Sequence, residues 1–179
     1  MRRARGRLSI LAAGLVLAAC GYRPIHHGAG TAERFSVVLA STNLPDAIAS
    51  DEVVAGVRDE LARSGALASG AEVYPRCEIE VLRADEASDG IAATPNTDGV
   101  LLPEARATRV GVVARAWIVR SKDAPRERDT GDLRATETVA VAPDARAATF
   151  RHGDALRAAS RRLGRRIGSR ILGLPTASE

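Results

Sequence analysis

The first twenty residues limit which part of the chain can belong to a folded domain. Four arginines and no acid lie within the first seven residues, and an apolar run from Leu8 to Ala19 follows. A basic start, a short apolar region and small residues at its end are the three parts of a secretory signal peptide. The apolar run is shorter than the roughly 20 residues that a membrane-spanning helix needs. The sequence therefore predicts a signal peptide at residues 1–19, which is removed from the mature chain.

The residues around Cys20 add a covalent anchor to this prediction. Leu17-Ala18-Ala19-Cys20 resembles the bacterial lipobox, in which the peptide is cut before a cysteine that carries lipid. The resemblance implies that Cys20 is the lipid-attachment residue. Several acyl chains on one residue exceed the two signals needed for stable membrane anchoring. The alternative is an ordinary signal peptide, or a buried first helix, with a chance cysteine.

The residue after the cysteine bears on the destination of a lipoprotein. In enterobacterial sorting, an Asp at this position retains the protein at the inner membrane, whereas this chain has Gly21. By resemblance, Gly21 favours the outer membrane of a Gram-negative envelope, with the protein on its periplasmic side.

The mature chain is formally neutral, although the full chain has a net charge of +4. All 22 acids lie after Cys20, whereas four of the 26 bases lie before it, so the mature part carries 22 of each. The high isoelectric point is due mostly to the arginines of the signal peptide. The mature chain therefore lacks the excess of basic residues that would indicate nucleic-acid binding. About 160 mature residues fit one domain. If Cys20 is acylated, Cys77 has no disulfide partner; it is predicted to be a small buried residue, the alternative being a reactive thiol.

Apolar periodicity divides residues 34–174 into six elements. Strands are predicted at 34–40, 72–83, 108–120 and 133–142, and helices from Pro45 to Arg63 and from Asp154 to Leu172. The first helix starts either with Ser50 as its N-cap or near Asn43 with Pro45 in the first position. Pro75 indicates an edge strand or a bulge. The apolar face of the last helix consists of Leu156, Ala159, Leu163, Ile167 and Ile171.

This order predicts an α+β two-layer sandwich. Consecutive strands with short links favour antiparallel pairing, and two amphipathic helices need one sheet against which to bury their apolar faces. The expected fold is a mostly antiparallel four-stranded sheet with two helices, in the order β-α-β-β-β-α. The predicted segments are the signal peptide (1–19), a lipidated tether (20–33), the sandwich (34–174) and a tail (175–179).

One segment does not fit a compact sandwich. Residues 84–107 are rich in Gly, Pro, Asp and Asn, with a small apolar cluster at Val100, Leu101 and Leu102. A long loop is predicted here, because loops of this length without regular structure are usually functional or disordered. Both a disordered surface loop and a loop that contacts a partner remain open.

No motif indicates catalysis. The chain has no Gly-x-Ser-x-Gly, no P-loop, no dinucleotide fingerprint and no Cys-x-x-Cys. His26 and His27 are neighbours in the tether, where adjacent side chains of an extended chain point in opposite directions, and His152 is distant in sequence. We therefore expect no enzyme activity, no cofactor and no metal site.

The last helix is strongly basic. Residues 151–172 carry seven Arg and one Asp, a net charge of +6, whereas residues 20–150 have a net charge of −5. One interpretation is a solvated basic face that is partly paired to an acidic body. The other is a patch for phosphate or carboxylate groups, which arginine binds in bidentate fashion. The contacts expected from charge, with lipopolysaccharide (LPS) or anionic lipid as the polyanion, are Arg157, Arg161, Arg165 and Arg166.

Two stretches resemble the LPS-assembly lipoprotein (LptE-like) family. They are the mature start, Cys20-Gly21-Tyr22-Arg23-Pro24, and Thr108 to Leu174, with a Val-x-Val-x-Ala strand, a Thr-rich returning strand and an Ala/Arg helix. The resemblance implies a non-catalytic subunit that plugs and supports an outer-membrane β-barrel and binds LPS. Its partners would be the β-barrel, LPS and the membrane, with no nucleic acid. The alternative is an envelope lipoprotein that activates or scaffolds another periplasmic machine, such as a peptidoglycan synthase or a secretion complex.

Overall fold

A computed structural model describes residues 33–45, 47–70, 73–142 and 144–175. The predicted signal peptide, Cys20 and most of the predicted tether lie outside these ranges. The elements are β1 (Ser36–Thr42), α1 (Ala47–Arg63), β2 (Arg76–Pro95), β3 (Leu101–Val119), β4 (Leu133–Ala140) and α2 (Ala145–Ile171). This α+β order confirms the predicted fold class.

The sheet is mixed, with the strand order β1-β2-β3-β4. β1 pairs with β2 in parallel, whereas β2 with β3 and β3 with β4 are antiparallel. The parallel pair follows from the chain order, because α1 connects β1 to β2 and a helical crossover returns the chain to the same end of the sheet.

The sandwich has two distinct ends. At the end that we call the base, Ser36 is level with Arg76 and Arg76 with Val119. Both helices finish near the base, where the Ser169 hydroxyl lies 3.2 Å from a carboxylate oxygen of Glu60. The opposite end, which we call the apex, holds the β2–β3 turn and the starts of both helices. The two helices therefore run parallel to each other.

The core lies between the helices and one face of the sheet. The sheet contributes Val37, Cys77, Ile79, Val81, Val110, Val112, Ala114, Ala116, Ile118 and Ala135. All five residues predicted for the apolar face of α2 are buried. Cys77 is fully buried, as predicted, and burial raises the pKa of its thiol to about 12. The thiol therefore stays protonated at neutral pH and behaves as a small apolar side chain.

The first helix, α1, begins two residues after the predicted Pro45 and ends at Arg63 as predicted, whereas α2 begins much earlier than predicted. Ser50 lies inside α1, and its hydroxyl is 2.8 Å from that of Thr42, so it is not an N-cap. α2 begins nine residues before the predicted start, where the Asp144 carboxylate accepts the backbone N–H of Ala147 at 2.8 Å. Periodicity missed this first part of α2 because most of its side chains, including Phe150, are exposed and leave no apolar stripe.

The prediction of a long loop at residues 84–107 was wrong. β2 and β3 continue through this range, paired from Ala84 with Val112 to Pro95 with Leu101. The turn is closed by the side-chain oxygen of Asn96, which accepts two backbone N–H groups at 2.9 Å. Backbone pairing needs no apolar alternation, so the composition concealed these strands. We call residues 84–107 the arm; only its last residue, Ala107, also pairs with β4.

The prediction for Pro75 also needs correction. Pro75 directly precedes β2, which lies between two partner strands and is not an edge strand. A bulge does occur in β2, but it lies between Val81 and Arg83, seven residues after the expected place. The extra residue is Leu82, the apolar side chain that interrupts the polar face of this strand.

The helices approach each other through glycines. A Cβ atom added to Gly164 would lie 2.2 Å from the carbonyl oxygen of Val53, and one added to Gly56 would lie 2.4 Å from that of Arg161. A Cβ atom added to Gly168 would lie 2.7 Å from the Cβ atom of Glu60. No side chain larger than hydrogen fits at these three positions unless the helices separate.

We expect Gly164→Ala to lower the free energy of unfolding by about 1–3 kcal/mol, the usual effect of overpacking. Gly153→Ala is the matched control, because a Cβ there would meet only the end of the Arg157 side chain, at 3.9 Å. That change should stabilise α2 by about 0.5–1 kcal/mol through helix propensity. Urea denaturation followed by the fluorescence of the single tryptophan measures both. Equal effects at the two positions would contradict the close contact.

Candidate interaction surfaces

Arg161 is the most fully engaged of the predicted contact residues. Its guanidinium donates to Asp59 at 2.7 and 2.9 Å and to Glu52 at 2.9 Å. Both carboxylates belong to α1, two turns apart on one face. Their hydrogen bonds and charges raise the pKa of Arg161. Arg161 therefore connects the two helices, and its charge is compensated inside the domain.

The other three predicted contacts do not form one free cationic patch with Arg161. Arg157 pairs with Asp154 of the same helix at 2.9 Å. Arg166 donates to the carbonyl oxygen of Arg134 in β4 at 3.0 Å, on the flank opposite to that facing α1. Arg165 makes no ion pair or hydrogen bond with the described residues. This arrangement agrees with a basic helix that is partly paired to its surroundings.

Arginines of α2 also cover the free edge of β4. Arg162 donates to the Thr136 carbonyl at 3.1 Å and pairs with Glu137 at 2.8 Å. Arg166 reaches the Arg134 carbonyl, two residues away on the same edge. An edge strand carries unpaired backbone groups that can recruit another strand. Here, arginine side chains occupy alternate carbonyls of that edge.

The spacing of Arg162 and Arg166 explains this fit. Four residues of a helix rise about 6 Å, and two residues of a strand rise about 6.6 Å. Arginines at i and i+4 on a helix beside a strand therefore reach successive outward carbonyls. Sequence reasoning missed this role, because nothing local indicates which strand lies beside α2.

The other edge of the sheet is covered in the same way. Arg58 of α1 donates to the carbonyl oxygen of Val37 in β1 at 3.2 Å. The β4 edge has one further contact at its apical end, where the Arg151 side chain lies 3.4 Å from the Ala140 carbonyl. This contact is longer and weaker. Each helix thus protects the edge strand beneath it.

The sheet face without helices is closed by its own side chains. Trp117 is only 2% exposed; its indole N–H donates to Glu78 at 3.0 Å, and Arg126 stacks 3.8 Å from its ring centroid. Next to it, Arg115 pairs with Glu80 at 2.7 Å, and this hydrogen bond lowers the pKa of the Glu80 carboxyl. The face is a ladder of paired charges rather than an open apolar surface.

An open groove lies at the apex between the helix starts and the sheet. Its two parts have volumes of about 440 and 310 Å³ and share Glu86, Val110 and His152. The smaller part is lined by the apolar residues Leu44, Pro45 and Ala49 around the start of α1 and by Leu156, eleven residues into α2. His152 Nδ1 lies 3.6 Å from the Glu86 carboxylate. The groove is mostly apolar, with this histidine–carboxylate contact at its centre.

The described ranges contain neither a metal-binding cluster nor a helix suited to cross a membrane. No group of three or more His, Cys, Asp or Glu in them is arranged to hold a metal ion. No helix within them is long and apolar enough to cross a membrane. Of the three histidines, His26 and His27 lie outside the described residues, and His152 lines the groove.

Comparison with known proteins identifies the fold. No protein-family model and no curated protein matches the chain. The minor lipoprotein of Acinetobacter baumannii is similar in structure, with a TM-score of 0.51 and 13% identity, over 83% of this chain and 98% of that one. A protein assigned as a lipoprotein from Caulobacter crescentus has a TM-score of 0.50 and 12% identity, over 78% and 88% of the two chains. The chain thus has a fold that also occurs in bacterial lipoproteins.

We expect a double change of Arg162 and Arg166 to Met to expose the β4 edge and cause self-association. Met retains much of the apolar stem but cannot donate to the strand carbonyls. The control is a double change of Arg157 and Arg165 to Met, which removes the same two charges without uncovering a strand carbonyl. Sedimentation velocity over a range of protein concentrations measures the effect. Edge protection is refuted if the Arg162/Arg166 variant stays monomeric, or if the control associates to the same extent.

Proposed function

We propose that this chain is a lipid-anchored lipoprotein on the periplasmic side of the outer membrane, and a non-catalytic subunit of the LPS assembly translocon. The observation that carries the proposal is a lipobox-like segment in front of a sandwich with the fold of bacterial lipoproteins. In this role the domain supports a β-barrel partner and contacts LPS through basic side chains.

The short segment between Cys20 and Glu33 limits the distance between the proposed anchor and the sandwich. Glu33 forms an ion pair with Arg120, the residue directly after β3, so the described chain begins at the base. Cys20 lies thirteen residues before Glu33. An extended segment of this length spans at most about 47 Å. An anchor at Cys20 would keep the base of the sandwich within that distance of the membrane surface.

Cys20→Ser should abolish stable membrane association, because it removes the acylated side chain. Fractionation of cell envelopes, followed by a salt wash, measures the anchored fraction. Cys77→Ser is the control, since its buried thiol carries no lipid in this proposal. If the Cys20→Ser protein still sediments with the outer membrane after the wash, Cys20 is not the main attachment.

The partner is tested by co-purification from detergent-solubilised outer membranes. We expect the full-length lipoprotein to recover a large β-barrel and to be protected from protease in the complex. The resemblance of residues 108–174 to LPS-assembly lipoproteins supports this expectation. Recovery of a periplasmic enzyme without a barrel would favour the alternative of a lipoprotein that activates another envelope machine.

The arginines available for LPS are those least engaged within the domain. Arg165 has no ionic partner among the described residues, and Arg157 pairs only with a mostly exposed Asp154 in its own helix. Arg161 and Arg166 already donate to neighbouring elements, so their contribution to LPS binding requires shared hydrogen bonds. Within the four predicted contacts, Arg157 and Arg165 are therefore the primary ones.

Changing Arg157 and Arg165 together to Ala should weaken binding to purified LPS by about tenfold or more. Hydrogen bonds to charged groups contribute about 1.5–3 kcal/mol each, and 1.4 kcal/mol corresponds to a factor of ten. Surface plasmon resonance on immobilised LPS measures the change. Lys122→Ala, in an exposed loop on the base, is the control for loss of charge. An unchanged double variant would return α2 to a purely structural role.

A further inference from the structure

The arm is the part of the sheet whose edges neither α1 nor α2 covers. Pairing of β1 with β2 ends at Thr42 and Val81, and pairing of β3 with β4 ends at Ala107. Beyond these points, no side chain of the described residues donates to a backbone carbonyl of the arm. The contrast with β1 and β4, whose edges are covered by arginine, restricts strand addition to the arm.

The β2 edge of the arm is the longer one. Within the described residues, no second strand pairs with this edge from Arg83 to Pro95. The β3 edge is without such a partner only from Leu101 to Arg106 and contains Pro103, which lacks an N–H. A regular part of the β2 edge runs from residue 84 to residue 89, up to Gly90 with its positive φ of 67°. Six residues match the usual length of a strand in globular proteins.

The direction of the backbone groups follows from hydrogen bonds next to this edge. The carbonyl of Val81 accepts the N–H of Asn43 at 3.0 Å, so it points towards the β1 side. Val81 is opposite Ala114 and, after the bulge, Ala84 is opposite Val112. Because peptide groups alternate in direction along a strand, Ala84 points to the same side as Val81.

The same alternation applies to Glu86 and Ser88. All three residues of this set, Ala84, Glu86 and Ser88, are exposed, and their N–H and C=O groups face the space beyond the end of β1. A strand in that space would continue the track of β1. Its side chains on the helix face would enter the smaller part of the apical groove, beside Leu44 and Leu156.

The charge of the arm indicates which kind of segment can bind beside it. Residues 84–107 contain five acids and one base, Arg106. Asp85 and Asp89 are paired to Arg134 and Arg109 on the open sheet face. Glu86, with a side chain 56% exposed, has only His152 as an ionic neighbour among the described residues. The acidic excess disfavours the arm of a second copy and suits a segment that carries Lys or Arg.

We infer that an extended segment of a partner protein adds as a strand to residues 84–89 of β2, with an apolar side chain in the apical groove and a basic one at Glu86. Strand addition of this kind draws affinity from main-chain hydrogen bonds and specificity from side-chain pockets. We call the outward edge of residues 84–89 the slot. The inference rests on the proposed function for the identity of the partner, the translocon β-barrel, but not for the presence of the slot.

Amide hydrogen exchange of the full-length lipoprotein tests the slot directly. Exchange is compared between native outer membranes and the purified protein in detergent, for peptides that cover residues 84–89. We expect slower exchange in the native membranes by tenfold or more, because the outward amides of Glu86 and Ser88 become hydrogen-bonded. Equal exchange in the two preparations would overturn the inference.

Ser88→Pro supplies the matching variant, because it removes one outward N–H; Ser88→Ala is the control. In co-purification, Ser88→Pro should lose the β-barrel and Ser88→Ala should retain it, with equal melting temperatures. A Ser88→Pro protein that melts lower is replaced by Glu86→Lys, which leaves the backbone unchanged and repels a basic segment. Retention of the barrel by the folded variant contradicts the inference.

The outcomes separate the slot from the proposed function. Protected amides without a recovered barrel support the slot and reject the translocon as partner. A recovered barrel with freely exchanging amides supports the translocon and rejects the slot. Free exchange without a barrel rejects both.

Discussion

The helix layer depends on the near contact of two backbones at Gly56 and Gly164. Only because these residues lack side chains can two parallel helices lie side by side on four strands and close one core. The contact also fixes the height of one helix relative to the other, which brings Arg161 between Glu52 and Asp59. The pairing of the Arg161 guanidinium with these carboxylates is a consequence of the helix packing. The charge of Arg161 is therefore mostly compensated within the domain.

The same geometry decides what the remaining arginines do. With its glycine face against α1, α2 presents Arg162 and Arg166 to β4, where they meet strand carbonyls instead of solvent. The eight arginines of α2 therefore divide into those that face α1, those that face the β4 edge and those that face solvent. Net charge alone cannot distinguish these roles, because each depends on the neighbour of a particular helix face.

Sequence reasoning succeeded where burial acts locally. The spacing of Leu156, Leu163 and Ile167 predicts the buried face of α2, since a helix that packs on a sheet must repeat apolar residues every three or four positions. Burial of Cys77 followed from alternation in the same way. The arm, by contrast, is held by backbone hydrogen bonds between distant residues. Its Gly, Asp and Asn residues are those of a loop, so the sequence alone predicted a loop.

The uncovered edge of the arm and the arginine-covered edges of β1 and β4 lie in different parts of the sheet. Side chains of Arg58, Arg162 and Arg166 donate to carbonyls of the edge strands β1 and β4, whereas pairing of β2 with β1 ends where β1 turns away into α1. The uncovered edge lies at the apex, whereas Glu33, the first described residue, lies at the base. In the proposed function, the membrane tether and the partner strand would therefore use opposite ends of the sandwich. Such a separation allows one domain to be anchored and to pair with a second protein without competition between the two.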